Sequence, residues 1–141
     1  LPLALQVAAN CGRSVHLVQV VEPLWGKMYT PGTFEGAYLD GEMIAETEAA
    51  LRADAREYLE RVAQRVQAAG DAATLEVRYG RPATEILNEM AAVQADAIVM
   101  ASHGRGGIVR FALGSVTQEV LYTSRAPLLV VPPGAPVTEA G

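Results

Sequence analysis

A chain of 141 residues is long enough to form one folded domain with a buried core. Half of the residues are apolar, which excludes a disordered chain, and no apolar run approaches the roughly 20 residues of a membrane span. The net charge is −5 and the eleven Lys and Arg residues are dispersed, so we expect no nucleic-acid partner and no membrane partner.

The first third of the chain contains one helix, one strand and one long connection. Residues 1–9 have apolar side chains at helical spacing, and Asn10-Cys11-Gly12 forms a stop signal. Cys11 is expected to be a buried small residue. As the single cysteine it cannot form an intramolecular disulfide, so we expect a cytoplasmic location. Residues 14–21 predict a buried strand. The glycines and prolines of residues 22–42 predict a mobile loop. This segment also contains the single tryptophan, Trp25.

The rest of the chain alternates regularly between helices and strands. An apolar stripe predicts a long helix that Gly70 ends, and it is made of Ile44, Leu51, Ala55, Tyr58, Leu59, Val62 and Val66. The elements expected after it are a strand at 74–79, a helix from Pro82, a strand at 97–101, a glycine-rich loop at 102–107, a helix at 115–123 and a strand at 128–131.

This alternation predicts an α/β fold with an open, mostly parallel sheet covered by helices on both faces. We expect a single domain at residues 1–133, followed by a flexible tail at 134–141. Ligands of such sheets bind at the carboxyl ends of the strands.

An anion-binding site is predicted where the strand at 97–101 ends. Glycines let the backbone of the following loop approach a ligand, and the helix that opens at Ser115 offers the N–H groups of Val116, Thr117 and Gln118. Ser115 and Gln118 also match a capping box, an ordinary helix start that needs no ligand. The combination of loop, strand end and helix start favours a phosphate chain.

The segment 80–132 contains three characteristic stretches: Gly80-Arg81-Pro82-Ala83 with Ile86, Asp96-Ala97-Ile98-Val99-Met100, and Pro127-Leu128-Leu129-Val130-Val131. With these stretches the segment resembles universal stress proteins. The nucleotide-binding branch of that family carries glycine, two residues, glycine, nine residues, glycine, then serine or threonine. Gly104, Gly114 and Ser115 fit this pattern, and Ala101 stands at its first glycine. Because alanine adds only a methyl group, we expect weakened rather than abolished binding.

The resemblance implies a family fold of the adenine-nucleotide-binding (HUP-like) type, with strand order 3-2-1-4-5. Strand 1 and the aspartate that contacts adenine have no counterpart here, because the sequence starts inside the following helix, so we expect a preceding segment to supply them. The implied contacts are Met100 and Val21 with adenine and ribose, then Ala101, His103, Gly104 and Arg105 with ribose and phosphate. Gly114, Ser115, Val116 and Thr117 would bind phosphates through N–H and hydroxyl groups, with Ser115 also capping the helix.

Other chemistries lack their residues. Leu113 stands where a Walker loop requires lysine, Val109 replaces the third glycine of a dinucleotide fingerprint, and no nucleophile elbow is present. His16, His103 and Cys11 are too scattered to hold a transition metal.

The leading hypothesis is a universal stress protein that binds ATP or a related adenine nucleotide, with Mg²⁺ held only through the phosphates. It would act in stress response or signalling as a homodimer joined through the strand at 128–131, whose apolar edge carries no protective charge. Two alternatives stay open. One is a structural or interaction dimer that binds no nucleotide. The other is a slow ATP hydrolase, in which case the protein would be a weak enzyme.

Overall fold

A computed structural model describes residues 1–24, 41–102 and 113–132. Its elements are α1 (Pro2–Cys11), β1 (Val15–Val21), α2 (Gly41–Ala68), β2 (Ala73–Tyr79), α3 (Pro82–Ala92), β3 (Ile98–Ala101), α4 (Ser115–Thr123) and β4 (Leu128–Val131). All strand pairs run parallel, which confirms the predicted α/β class. None of the described helices has the length and apolar character needed to cross a bilayer.

The chain divides into two compact units, one of residues 14–82 and the other of residues 1–13 with 83–141. Among the described residues, each unit contains a two-stranded parallel sheet. The single domain, the five-strand order and the preceding segment stay predictions. Most of the predicted loop at 22–42, with Trp25, and the predicted tail at 134–141 lie outside the described residues.

In the unit of residues 14–82, β1 and β2 pair over seven residues, from Val15 with Ala73 to Val21 with Tyr79. Helix α2 packs against both strands. Its buried positions recur every three or four residues and belong largely to the predicted stripe: Ala55, Leu59, Ala63 and Val66.

Two features of α2 differ from the prediction. Leu51 and Tyr58 were expected on the buried stripe but lie at its margins, 39% and 42% exposed. The helix also begins at Gly41, inside the segment that the glycines and prolines marked as irregular, because one glycine at a helix end costs little. Glu57 and Arg61 form an ion pair one turn apart.

In the other unit, β3 and β4 pair over four residues, and β4 has the predicted bounds. Helix α1 ends as predicted: Gly12 has a left-handed φ of 62° and donates its N–H to the carbonyls of Ala8 and Ala9. The prediction that Cys11 is buried was wrong, because this residue is exposed in the last turn, beyond the buried Ala8.

Helix α3 begins at Pro82, as predicted. Its most buried residues are Ala83 and Glu89, 2% and 7% exposed, whereas its apolar residues Ile86, Leu87 and Met90 are only partly buried. A carboxylate in this position was not expected from the apolar pattern. Glu89 keeps an interaction partner, which offsets the cost of burying its charge.

Candidate functional site

The carboxyl end of β3 continues its ladder one residue past the strand. The Ser102 N–H donates to the Val131 carbonyl at 2.9 Å, and Ser102 is 8% exposed. Met100 is partly buried within the strand, while Ala101, its last residue, is exposed. The first described position after β3 is therefore fixed, and the strand ends in a residue with only a methyl side chain.

Helix α4 starts directly against this strand end. The Gly114 N–H donates to the Ser102 carbonyl at 2.7 Å, and the Gly114 carbonyl accepts from the Gln118 N–H at 2.9 Å. Gly114 is thus the N-cap, and the N–H groups of Ser115, Val116 and Thr117 have no intrahelical acceptor. With the helix dipole, these three groups form a turn suited to an anion.

Two details of this helix start correct the sequence-based expectations. The capping box was wrong: no side-chain cap bond is present, because Gly114 occupies the N-cap and Ser115 is already the first helical residue. The Gln118 N–H, predicted to be available to a ligand, is paired with Gly114. The three N–H groups without an intrahelical acceptor therefore begin one residue earlier than expected.

Thr117 is 3% exposed and links the helix to the strand. Its hydroxyl donates to the Ala101 carbonyl at 3.1 Å and approaches the Ser102 carbonyl at 3.4 Å. The hydroxyl proton is thus directed to the protein backbone. A phosphate contact of Thr117 stays a prediction for its N–H group.

Four other predicted contacts lie in the other unit or outside the described residues. Val21 belongs to the other unit, where it ends β1, is 8% exposed and accepts the Gly80 N–H at 3.1 Å through its carbonyl. His103, Gly104 and Arg105 lie outside the described residues. The roles of these four residues stay predictions.

A polar cluster at the carboxyl end of β2 was missed from the sequence. Glu48 of α2 accepts the Tyr79 hydroxyl and, at 3.0 Å, the Leu24 N–H. The Arg52 guanidinium lies 4.0 Å from the centroid of the Tyr79 ring. The spacing of Glu48 and Arg52, one helical turn, was the only signal for this cluster, and it did not indicate the tyrosine 31 positions away.

These contacts shift two ionisation equilibria. The hydrogen bond from Tyr79, helped by that from Leu24, lowers the pKa of Glu48, because both favour the carboxylate. The same bond raises the pKa of Tyr79, because ionisation would remove the donated proton. The cluster thus holds a charged Glu48 and a neutral Tyr79 together.

No three His, Cys, Asp or Glu side chains are grouped for a metal ion among residues 1–24, 41–102 and 113–132. Backbone N–H groups repel cations, so the turn suits the anionic part of a ligand.

Comparison with known proteins relates the whole chain to one family. The family model described as "Universal stress protein family" matches residues 2–132. Universal stress protein MJ0531 of Methanocaldococcus jannaschii is 30% identical over 130 residues, which are 91% of this chain and 70% of that protein. The solved structure of hypothetical protein MJ0577 superposes with a TM-score of 0.72 at 25% identity, covering 92% of this chain and 85% of that one.

Two further solved structures share the fold and contain nucleotides. The universal stress protein from Archaeoglobus fulgidus in complex with dAMP has a TM-score of 0.58 at 21% identity. A universal stress protein in complex with cAMP has a TM-score of 0.53 at 20% identity. Each covers 92% of this chain and has 82% of its own length covered. From the match over residues 2–132 and the relative that is 30% identical over 130 residues, we conclude that this chain belongs to the universal stress protein family.

Proposed function

We propose that this protein binds an adenine nucleotide, with the phosphates against the first turn of α4. The observation that carries the proposal is the run of three N–H groups, on Ser115, Val116 and Thr117, without intrahelical acceptors beside the end of a parallel strand. The neighbouring residues Ala101 and Gly114 are small, which lets a phosphate approach the backbone closely.

Family membership supports the adenine part of the proposal, since other members were solved in complex with dAMP and cAMP. We further propose ATP as one of the ligands, with Mg²⁺ coordinated by phosphate oxygens. Val21 and Met100 are proposed contacts of adenine and ribose. His103, Gly104 and Arg105 are proposed to line the ribose and phosphates.

We also propose that the protein acts in the cytoplasm as a homodimeric module in stress response or signalling. Strand β4 supports the dimer: its four residues are apolar, and all remain partly exposed. A second copy pairing with the unprotected edge would satisfy its backbone groups and close the assembly. Light scattering at tens of micromolar tests this part, and a monomer there would remove it.

Calorimetric titration of purified protein with ATP, ADP, AMP and cAMP, with and without Mg²⁺, tests the nucleotide proposal. The protein should first be denatured and refolded without nucleotide, so that co-purified ligand does not hide the sites. GTP is the matched control, because it keeps the phosphates and changes the base. Saturable binding of an adenine nucleotide supports the proposal. A dimer that binds none of them would instead favour the interaction module without nucleotide.

A further inference from the structure

The hydroxyl of Thr117 joins two elements that its backbone does not. It donates to the Ala101 carbonyl, 16 residues earlier in the chain, from a side chain that is 3% exposed. The Gly114 N–H donates to the next carbonyl, that of Ser102. Two successive carbonyls at the end of β3 are therefore held by two residues of one helical turn.

This pairing is not the default for a threonine in a helix. A helical threonine hydroxyl commonly bonds the carbonyl three or four residues before it. Thr47 in α2 does so, donating to the Met43 carbonyl at 2.8 Å. Thr117 instead donates its hydroxyl proton to a carbonyl of another element, and this hydrogen bond holds α4 against β3.

Two anchor points on one turn fix both its position and its rotation about the helix axis. Rotation matters because the N–H groups of Ser115 and Val116 must point toward the same phosphate to bind it together. Groups held in the binding geometry before the ligand arrives lose less conformational freedom on binding.

We propose that Thr117 is a positioning residue that sets nucleotide affinity through this hydroxyl clip, without a hydroxyl contact to the ligand. The clip is defined as the bond from the Thr117 hydroxyl to the Ala101 carbonyl together with the bond from the Gly114 N–H to the Ser102 carbonyl. The inference rests on the proposed nucleotide function and adds the residue that aims the anion-binding turn.

The test compares Thr117→Val, Thr117→Ser and the matched control Thr47→Val by calorimetric titration with ATP and Mg²⁺. Removing one buried hydroxyl donor should weaken binding about tenfold in Thr117→Val. Thr117→Ser keeps the donor and should stay within about twofold of the wild type. Thr47→Val loses a local hydroxyl bond and should bind normally.

Two readouts separate positioning from a loss of stability. A variant that is about 99% folded loses only about 1% of its apparent affinity through unfolding, so a tenfold loss in such a variant must arise in the folded state. Amide hydrogen exchange of Gly114, measured without nucleotide, should quicken in Thr117→Val and not in Thr117→Ser. If the valine variant does not fold, Thr117→Ala compared with Thr117→Ser isolates the hydroxyl at nearly equal size.

The outcomes are distinct. Tenfold weaker binding with serine rescue and faster Gly114 exchange supports the clip. Wild-type affinity in a folded hydroxyl-free variant, or unchanged Gly114 exchange, overturns it while the proposed function stands. A wild-type protein that binds no adenine nucleotide overturns the proposed function, and the positioning role with it.

Discussion

The two strand pairs of this protein end in different ways. At the end of β2, the Glu48 carboxylate accepts hydrogen bonds from the Tyr79 hydroxyl and the Leu24 N–H. At the end of β3, the Thr117 hydroxyl bonds the Ala101 and Ser102 carbonyls, and backbone bonds join Ser102 to Val131 and to Gly114. The first end is closed by long polar side chains, whereas the second presents small residues and N–H groups.

The difference teaches where an anion can be accommodated in a repeated strand-and-helix architecture. A carboxylate such as Glu48 repels phosphate and already occupies its local donors. The first turn of α4 contains no acidic residue, and its N–H groups have no intrahelical acceptors. We therefore propose that the ligand binds at the β3 end and that the β2 end has a structural role.

The glycines at the ends of the two strands also differ in backbone conformation. Gly80 follows β2 with a φ of 148°, a region that L side chains rarely adopt, so its backbone requires glycine. Gly114 has φ −61° and ψ 154°, an ordinary extended conformation. A β-branched residue at Gly114 would therefore not strain φ and ψ, and a need for glycine there would come from the space around its Cα.

The largest effect is expected from Gly114→Val. The valine fits the backbone but places a branched side chain beside the N–H groups of the first turn. We expect about a hundredfold loss of ATP affinity with a folded protein, because several amide contacts to the phosphates are lost together. Calorimetric titration measures it. Gly41→Val is the control, because a Cβ at Gly41, the first residue of α2, has no heavy atom within 4 Å. Equal affinities in the two variants would break the assignment of the ligand to the β3 end.

The second prediction concerns the β2 end. Because the folded pKa of Glu48 is lowered, its ionised form contributes stability that is present above the ordinary glutamate pKa and is lost as pH falls through the folded pKa. The raised pKa of Tyr79 means that its contribution is present below its ordinary pKa and is lost as pH rises through the folded pKa.

Glu48→Gln should lower the urea midpoint at neutral pH and reduce the difference between its values near neutrality and at about pH 3. ATP affinity should not change. Glu46→Gln removes an exposed acid of α2 and is the control, which should behave like the wild type in both respects. A nucleotide affinity that fell with Glu48→Gln would contradict the division of roles between the two ends.

The smallest effect is expected from Ser115→Ala. Because Ser115 makes no cap bond, the free energy of unfolding should change by less than about 0.5 kcal/mol. Loss of its proposed phosphate contact should weaken ATP binding about threefold. Ser124→Ala is the mirror control: that hydroxyl bonds the Ala126 backbone, so stability should fall by about 1 kcal/mol without a change in affinity. The reverse pattern would restore the capping role.

Sequence patterns predicted the elements well where one signal dominated. The apolar run between prolines defined Leu128–Val131, and the Ser115–Thr123 helix has its predicted bounds. The details that failed depend on contacts between distant residues. The N-cap residue Gly114 donates its N–H to the Ser102 carbonyl, and Tyr79 bonds Glu48, 31 positions away. Neither contact leaves a local sequence pattern. The family resemblance, by contrast, was confirmed over residues 2–132.

The most direct test of the central claim is an NMR titration of isotope-labelled protein with ATP and Mg²⁺, followed through backbone amides. We predict the largest changes at the N–H groups of Ser115, Val116 and Thr117, saturating together, and much smaller changes when adenosine replaces ATP. Amides near Glu48 and Tyr79 should not respond to the phosphates. Phosphate-dependent changes centred on that cluster, with unaltered amides in the first turn of α4, would contradict the account.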